Sequence, residues 1–153
     1  MLKKLLLVIV MGFLTFSLIG CKDKKNFDSD IVSFRYSEGS GMGSYYEYEI
    51  NLEKNKYIFK AKGYNGVDLD VEKEISEEQV KKLSKIIDDN DIKSWDGFDK
   101  SDKDVMDGHS FSLFIKYKSG ESLSAHGYMK YPSNYREASK ELEDYLLSLT
   151  EDK

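Results

Sequence analysis

The chain has 153 residues, of which 33% are charged and 13% aromatic, and its formal net charge at pH 7 is −5. An acidic chain without a long run of lysine or arginine lacks the cations that neutralise phosphate groups, so its composition argues against nucleic acid as a partner. Because there is a single cysteine, no intrachain disulfide can form, and a folded domain must be held together by packing alone.

Residues 1–20 have the layout of a secretory signal peptide. Two lysines precede an apolar run, residues 5–19, and the small residue Gly20 follows it. The run contains fifteen residues, whereas a membrane-spanning helix needs about 20. We therefore expect this segment to be removed by cleavage rather than to span the membrane.

The end of the signal peptide, Leu18-Ile19-Gly20-Cys21, resembles the lipobox of bacterial lipoproteins. The resemblance implies cleavage between Gly20 and Cys21, a diacylglyceryl group on the Cys21 thiol and often a further acyl chain on the new amino terminus. Two or more acyl chains anchor a protein stably in a lipid bilayer, whereas one binds only marginally. We expect a lipid-anchored protein of the cell membrane that faces outside the cytoplasm. The alternative is an ordinary signal peptide with an incidental cysteine.

Cleavage would leave 133 residues, enough for one domain, and would change the formal net charge to −7. Residues 21–30 are polar with one aromatic side chain, which predicts a lipidated, flexible tether. Residues 31–150 are expected to form a single domain.

Alternation of apolar and polar residues predicts four strands in the first part of this domain. The segment from Glu38 to Ser44 is expected to be a glycine-rich loop after the first strand, and Asn65-Gly66 to be a turn before the fourth. A tight turn at Lys54-Asn55 would pair Leu52 with Tyr57 and Ile50 with Phe59. The apolar sets of the four strands are Val32, Phe34 and Tyr36; Tyr46, Tyr48, Ile50 and Leu52; Tyr57, Phe59 and Ala61; and Val67, Leu69 and Val71.

Two amphipathic helices and one hairpin complete the predicted domain. Ser76 and Gln79 fit a capping box at the start of the first helix. Between the helices, a turn over residues 118–120 with Gly120 left-handed would pair Ile115 with Leu123. The apolar stripes of the helices are Val80, Leu83, Ile86 and Ile87; and Tyr135, Ala138, Leu142, Tyr145, Leu146 and Leu149. The order predicts an α+β fold with an antiparallel sheet of about six strands, covered by two amphipathic helices.

Two short segments, residues 95–98 and 106–109, combine aromatic, acidic and histidine side chains and are the most distinctive part of the sequence. Read functionally, they line a pocket or present an aromatic anchor to a partner. Read structurally, their Asp-Gly pairs are turns, and the aromatic side chains fold over the end of the sheet. The candidate binding residues are Trp95, Asp96, Phe98, Asp107 and His109.

Four motifs in this region resemble a pattern in small lipoproteins of low-GC Gram-positive bacteria. They are Trp-x-Gly-Phe at 95–98, Asp-Gly at 107–108, Tyr-x-x-Gly at 117–120 and Tyr-Pro at 131–132. Those proteins are uncharacterised, so the resemblance implies a fold and supplies no activity.

No metal or cofactor site is expected from the sequence. Aspartates crowd the loop after Phe98, but a calcium loop that starts at Asp102 would need glycine where Asp107 stands. A looser calcium site stays open as an alternative. In the predicted hairpin, His109 and His126 lie on opposite faces, which argues against a zinc site.

No catalytic motif is recognisable, so the leading hypothesis is a non-enzymatic binding module for a protein, a peptide or a cell-wall component. The many tyrosines fit either sheet packing or a stacking surface for a carbohydrate or peptide. Two alternatives are an extracytoplasmic hydrolase, with Asp96 or Asp107 and His109 as acid and base, and a calcium-responsive module.

Overall fold

The computed structural model describes residues 25, 27, 30–41, 43–64 and 67–151. The signal peptide, the cleavage site, Cys21 and the Asn65-Gly66 turn lie outside the described residues. The strands are β1 (Ile31–Ser40), β2 (Tyr45–Asn51), β3 (Lys56–Tyr64), β4 (Val67–Glu74), β5 (Asp99–Ser101), β6 (His109–Tyr117) and β7 (Ser122–Tyr128), and the helices are α1 (Glu77–Asp89) and α2 (Tyr135–Ser148).

The strands form one sheet in the order β4-β3-β2-β1-β6-β7-β5. All neighbours are antiparallel except β5, which runs parallel to β7. The α+β fold and the order of four strands, helix, strands and helix are confirmed. The sheet has seven strands rather than six, because β5 has three exposed residues and no alternation that could reveal it.

Both helices lie on one face of the sheet and bury the predicted stripes, except that Tyr135 and Leu149 are only partly buried. The capping box of α1 is confirmed, since Ser76 Oγ accepts from the Gln79 backbone N–H and the Ser76 N–H donates to Gln79 Oε1 at 2.8 Å. The buried apolar residues of α1 are Val80, Leu83, Ile86 and Ile87, and those of α2 are Ala138, Leu142, Tyr145 and Leu146. The core therefore fills the space between these helices and the inner sheet face.

The hairpin of β2 and β3 is present, but its predicted register is wrong by two residues. Ile50 lies opposite Tyr57, and Tyr48 opposite Phe59. The connection is longer than expected, because residues 52–54 form a 3₁₀ turn and Asn55 follows with a φ of 51°. A shift of two residues leaves every side chain on its original face, so the apolar pattern could not distinguish the two registers.

The hairpin of β6 and β7 is confirmed in register. Ile115 lies opposite Leu123, and Gly120 in the turn has a φ of 93°. His126 is exposed on the outer face of the sheet, whereas the His109 side chain reaches Glu38 on the inner face. The two histidines are therefore on opposite faces, as predicted.

The first strand differs from its prediction at both ends. A bulge between Ile31 and Ser33 buries Ile31 and leaves Val32 half-buried. At the other end β1 continues to Ser40, so the predicted loop from Glu38 to Ser44 is wrong for its first three residues. This extension places a carboxylate inside the protein.

Two described residues of the predicted tether contact the domain. Lys25 Nζ donates to the Ser122 carbonyl at 2.9 Å and lies 3.0 Å from the Asp96 carboxylate. The Phe27 ring packs 5.2 Å from the ring of Tyr117. Within the described part of the chain, no helix is long and apolar enough to cross a membrane.

Candidate functional site

A group of polar side chains lies at one end of the inner sheet face. Phe34, Tyr36 and Glu38 occupy successive inward positions of β1, because alternate residues of a strand share a face. Glu38 stands between Tyr46 in β2 and Phe111 in β6. Its exposed fraction is only 9%, which makes it a buried carboxyl group on a face that is otherwise apolar and aromatic.

The Glu38 carboxylate accepts hydrogen bonds from several elements. Its Oε1 accepts from the hydroxyls of Tyr36 and Tyr135. Its Oε2 lies 2.6 Å from His109 Nε2 at the start of β6, and the Tyr46 hydroxyl is a further partner. The carboxylate thus joins three strands to α2, and these contacts offset the cost of burying a charge.

A second carboxyl group, that of Glu143, reaches the same place from α2. Glu143 follows Tyr135 by eight residues, so both side chains point from the same side of the helix. Tyr36 Oη lies 3.4 Å from Glu143 Oε1, and hydrogen bonds couple Glu143 to Tyr46 and Glu38. We call Tyr36, Glu38, Tyr46, His109, Tyr135 and Glu143 the Glu38 cluster.

The two carboxyl groups differ in their affinity for a proton. Burial opposes ionisation of Glu38, but hydrogen bonds from Tyr135, Tyr36, His109 and Tyr46 lower its pKa below the ordinary value. Burial and the negative charge of Glu38 raise the pKa of Glu143 to about 7. Glu38 is therefore the acid that ionises first, and Glu143 keeps its proton to a higher pH.

An aromatic layer connects the Glu38 cluster to the core. The ring of Tyr135 lies 4.5 Å from that of Phe111 and 5.3 Å from that of Trp95. The ring of Tyr131 packs 4.7 Å from that of Tyr135, and its hydroxyl donates to the His109 carbonyl at 3.1 Å. This layer fixes the position of Tyr135, and with it the donor that Tyr135 gives to the carboxylate.

The structure places three of the predicted binding residues in or beside this layer. Trp95 is 1% exposed, and its Nε1 donates to Asn134 Oδ1 at 2.9 Å. Phe98 is half-buried with its ring 6.1 Å from that of Phe111, and His109 belongs to the Glu38 cluster. Because the indole of Trp95 is buried, the geometry supports its packing role.

The other two predicted binding residues lie elsewhere. Asp96 accepts from the Ser124 backbone N–H at 3.2 Å as well as pairing with Lys25. Asp107 is exposed, and its backbone lies against Gly41. The described contact of the His109 ring is with Glu38 rather than with either aspartate.

In the aspartate-rich loop after Phe98, Asp102 already forms an ion pair and a hydrogen bond within the protein. The Asp102 carboxylate lies 2.8 Å from Lys130 Nζ and accepts from the Asp104 backbone N–H. The hydrogen bond from Lys130 lowers the pKa of Asp102. Among the residues that the structure describes, no group of three or more histidine, cysteine, aspartate or glutamate side chains is arranged to hold a metal ion.

Sequence reasoning missed most of the Glu38 cluster, including both carboxyl groups. The signal for Glu38 was the alternation itself, since the inward set Phe34 and Tyr36 continues to residue 38. Glu143 had a weaker signal, because it lies beside the buried Leu142 on a helix with many acidic residues.

The outer face of the sheet carries a shallow groove of about 430 Å³ between the loop before β5 and strands β6 and β7. Phe98 and Phe114 contribute to its walls, and the Phe114 side chain is 41% exposed. Serine and histidine side chains complete it: Ser112, Ser124 and His126. The groove can offer the Phe114 ring as a stacking surface, together with hydroxyl and imidazole hydrogen bonds.

No protein-family model matches the sequence, and no curated protein matches it significantly. The resemblance to lipoproteins therefore rests on the motifs of this chain. Two sites of the domain can support a function. The Glu38 cluster can hold a proton and orient an imidazole, and the groove on the outer sheet face can bind a ligand.

Proposed function

We propose that the protein is a lipoprotein, anchored through acylated Cys21 outside the cytoplasmic membrane, whose α+β domain is a binding module. The observation that carries the proposal is the motif Leu18-Ile19-Gly20-Cys21 at the end of an apolar run. The first strand begins at Ile31, ten residues after Cys21. Contacts of Lys25 and Phe27 with the domain shorten the free segment further, so the domain would lie close to the bilayer surface.

The groove on the outer sheet face is the surface that best fits a binding role. The helices occupy the inner face, so the outer face is open to a partner. Phe114 is exposed in the middle of a strand, where a polar residue is the usual choice. An extracytoplasmic protein, peptide or cell-wall component that stacks on Phe114 is the proposed ligand class.

The anchor is tested with Cys21→Ser in living cells. We expect this variant to accumulate as uncleaved precursor without lipid label, whereas Ser17→Ala, in the same segment, is processed normally. Normal cleavage and labelling of Cys21→Ser would exclude the lipoprotein assignment.

The binding surface is tested by placing a photoreactive residue at position 114 in intact cells. A matched control carries the same residue at position 78, on the exposed side of α1. We expect a discrete adduct from position 114 only, and its loss when His126, an exposed residue of the groove, is changed to Ala. Equal labelling from both positions would contradict a specific site at the groove.

A hydrolase is the second candidate, and the pair of Glu38 and His109 favours it. The 2.6 Å contact at His109 Nε2 orients an imidazole whose side chain is 41% exposed, an arrangement used by general bases. Turnover of a cell-wall or peptide substrate that is abolished in His109→Asn and retained in His126→Asn would support this function. Equal activity of both variants and the unaltered chain would exclude His109 as the base.

A further inference from the structure

The polar contact between α2 and the sheet brings two acids together in an otherwise apolar interface. On either side of Glu143, α2 buries Ala138, Leu142 and Leu146 against the core. The Tyr36 hydroxyl donates to Glu38 Oε1 and lies 3.4 Å from Glu143 Oε1, so the two carboxyl groups meet at one phenol. An ionised carboxylate can only accept hydrogen bonds. Two carboxyl groups can therefore form a hydrogen bond with each other only while one of them keeps its proton.

The neighbours of this pair supply hydrogen bonds but little compensating charge. Tyr36 from β1, Tyr46 from β2 and Tyr135 from α2 all have raised pKa values, because they are buried beside carboxylates, and they stay neutral. His109 from β6 faces Glu38. Burial and the charge of Glu38 raise the pKa of the neighbouring Tyr131. On the helix itself, the exposed Lys140 interacts with Glu143 through charge while pairing with Asp144 at 2.6 Å.

We propose that Glu38 and Glu143 form a proton-dependent latch, which holds α2 against β1 and β2 while one proton is shared and loosens when both carboxyl groups are ionised. The latch is a conformational device within the domain and does not depend on the proposed lipid anchor or on the groove. Its closed state contains the carboxylate of Glu38 and the neutral acid of Glu143. Its open state contains two like charges in a partly buried site, where they repel more strongly than in water.

The direction of the pH dependence follows from Glu143. Its pKa rises on folding from an ordinary 4.5 to about 7. A carboxyl group of this kind stabilises the folded state fully below its unfolded pKa, and that contribution is lost as pH rises towards the folded value. The latch is therefore closed in mildly acidic solution and loosens as pH rises through about 7.

Trp95 reports the position of α2. Its ring packs 5.3 Å from that of Tyr135, and its Nε1 is bonded to Asn134, the residue before the helix. It is also the only tryptophan in the chain, so indole fluorescence comes from this place alone. Loosening of α2 is expected to expose the indole and shift its emission to longer wavelength.

The test follows Trp95 emission in the full chain, purified in detergent, from about pH 5.5 to about pH 8.5. We expect a reversible shift with a midpoint near 7 in the unaltered chain and no shift in Glu143→Gln, which stays neutral. Amide exchange in α2 should be at least about tenfold faster in the unaltered chain than in Glu143→Gln when both are measured at the same alkaline pH. A tenfold change corresponds to a rise of one unit in the pKa of Glu143 on folding.

Two matched variants exclude other sources of the transition. Glu137→Gln removes an exposed carboxyl group from the first turn of α2 and should keep the transition. His109→Asn removes the imidazole that contacts Glu38 and should also keep the transition. The latch is overturned if the unaltered chain shows no transition, if Glu143→Gln retains it, or if His109→Asn abolishes it.

Discussion

Replacing Glu38 by Gln tests whether the buried carboxylate stabilises the fold. The substitution preserves the shape of the side chain and removes its charge. Oε1 accepts from Tyr36 and Tyr135, Oε2 contacts His109 at 2.6 Å, and the Tyr46 hydroxyl is a further partner, so the two carboxylate oxygens serve at least three donors. An amide offers one oxygen and an NH₂ group that cannot accept, which leaves at least one of these donors without its acceptor.

The expected loss is about 2 kcal/mol of the free energy of unfolding. Hydrogen bonds to a charged group contribute about 1.5–3 kcal/mol each and neutral ones about 1, so three weakened bonds lose a few kcal/mol. The neutral amide is easier to bury than a carboxylate, which offsets part of that loss. For a domain of this size, about 2 kcal/mol lowers the melting temperature by about 8 °C.

Urea unfolding at about pH 6, where Glu38 is ionised and Glu143 protonated, measures this difference. Because the pKa of Glu38 is lowered on folding, its contribution is present above the unfolded pKa and disappears as pH falls through the folded value. The difference between Glu38→Gln and the unaltered chain should therefore narrow in acid.

The matched control is Glu49→Gln on the outer face of the neighbouring strand. Glu49 pairs with Arg35 at 3.1 Å and is 30% exposed, so its loss should cost less than about 1 kcal/mol. If Glu38→Gln is as stable as Glu49→Gln or the unaltered chain, the hydrogen bonds of the cluster do not stabilise the fold as described.

Two further predictions concern packing and capping. Gly127→Ala should lower the free energy of unfolding by about 2–3 kcal/mol, because the new methyl group would overlap the Lys130 carbonyl and the Phe111 ring. Thermal unfolding measures this loss, and an unchanged melting temperature would contradict the prediction. Ser76→Ala should lower the free energy of unfolding by about 1 kcal/mol, because it removes the acceptor of the Gln79 N–H at the start of α1. Urea unfolding measures this loss, and a value below about 0.3 kcal/mol would show that the cap contributes little.

Much of the fold could be predicted because local signals agreed with the final packing. The capping residues and stripe of α1, and the turn that ends in Gly120, follow from short-range chemistry that the sequence displays directly. The register between β2 and β3 could not be predicted in the same way, because the extra residues of the 3₁₀ turn preserve the inward face. Strand β5 was missed because only its pairing with β7 defines it.

The candidate site was harder to predict, since its members are distant in sequence and come from four elements. The sequence pattern indicates His109 but offers an aspartate as its partner, because the glycines that follow Glu38 predict a loop there. The error has a physical cause: Gly39 and Gly41 suggest a loop, whereas β1 continues through Gly39 with pairing on both sides. Tyr135 and Glu143 meet Glu38 only when α2 packs on the sheet.

Mass spectrometry of the amino-terminal peptide, isolated from the membrane fraction of cells that produce the full chain, tests the proposed function most directly. The lipoprotein assignment predicts a peptide that begins at Cys21 and carries a diacylglyceryl group on its thiol. A peptide with the bond between Gly20 and Cys21 intact, or one with an unmodified Cys21 thiol, would contradict it.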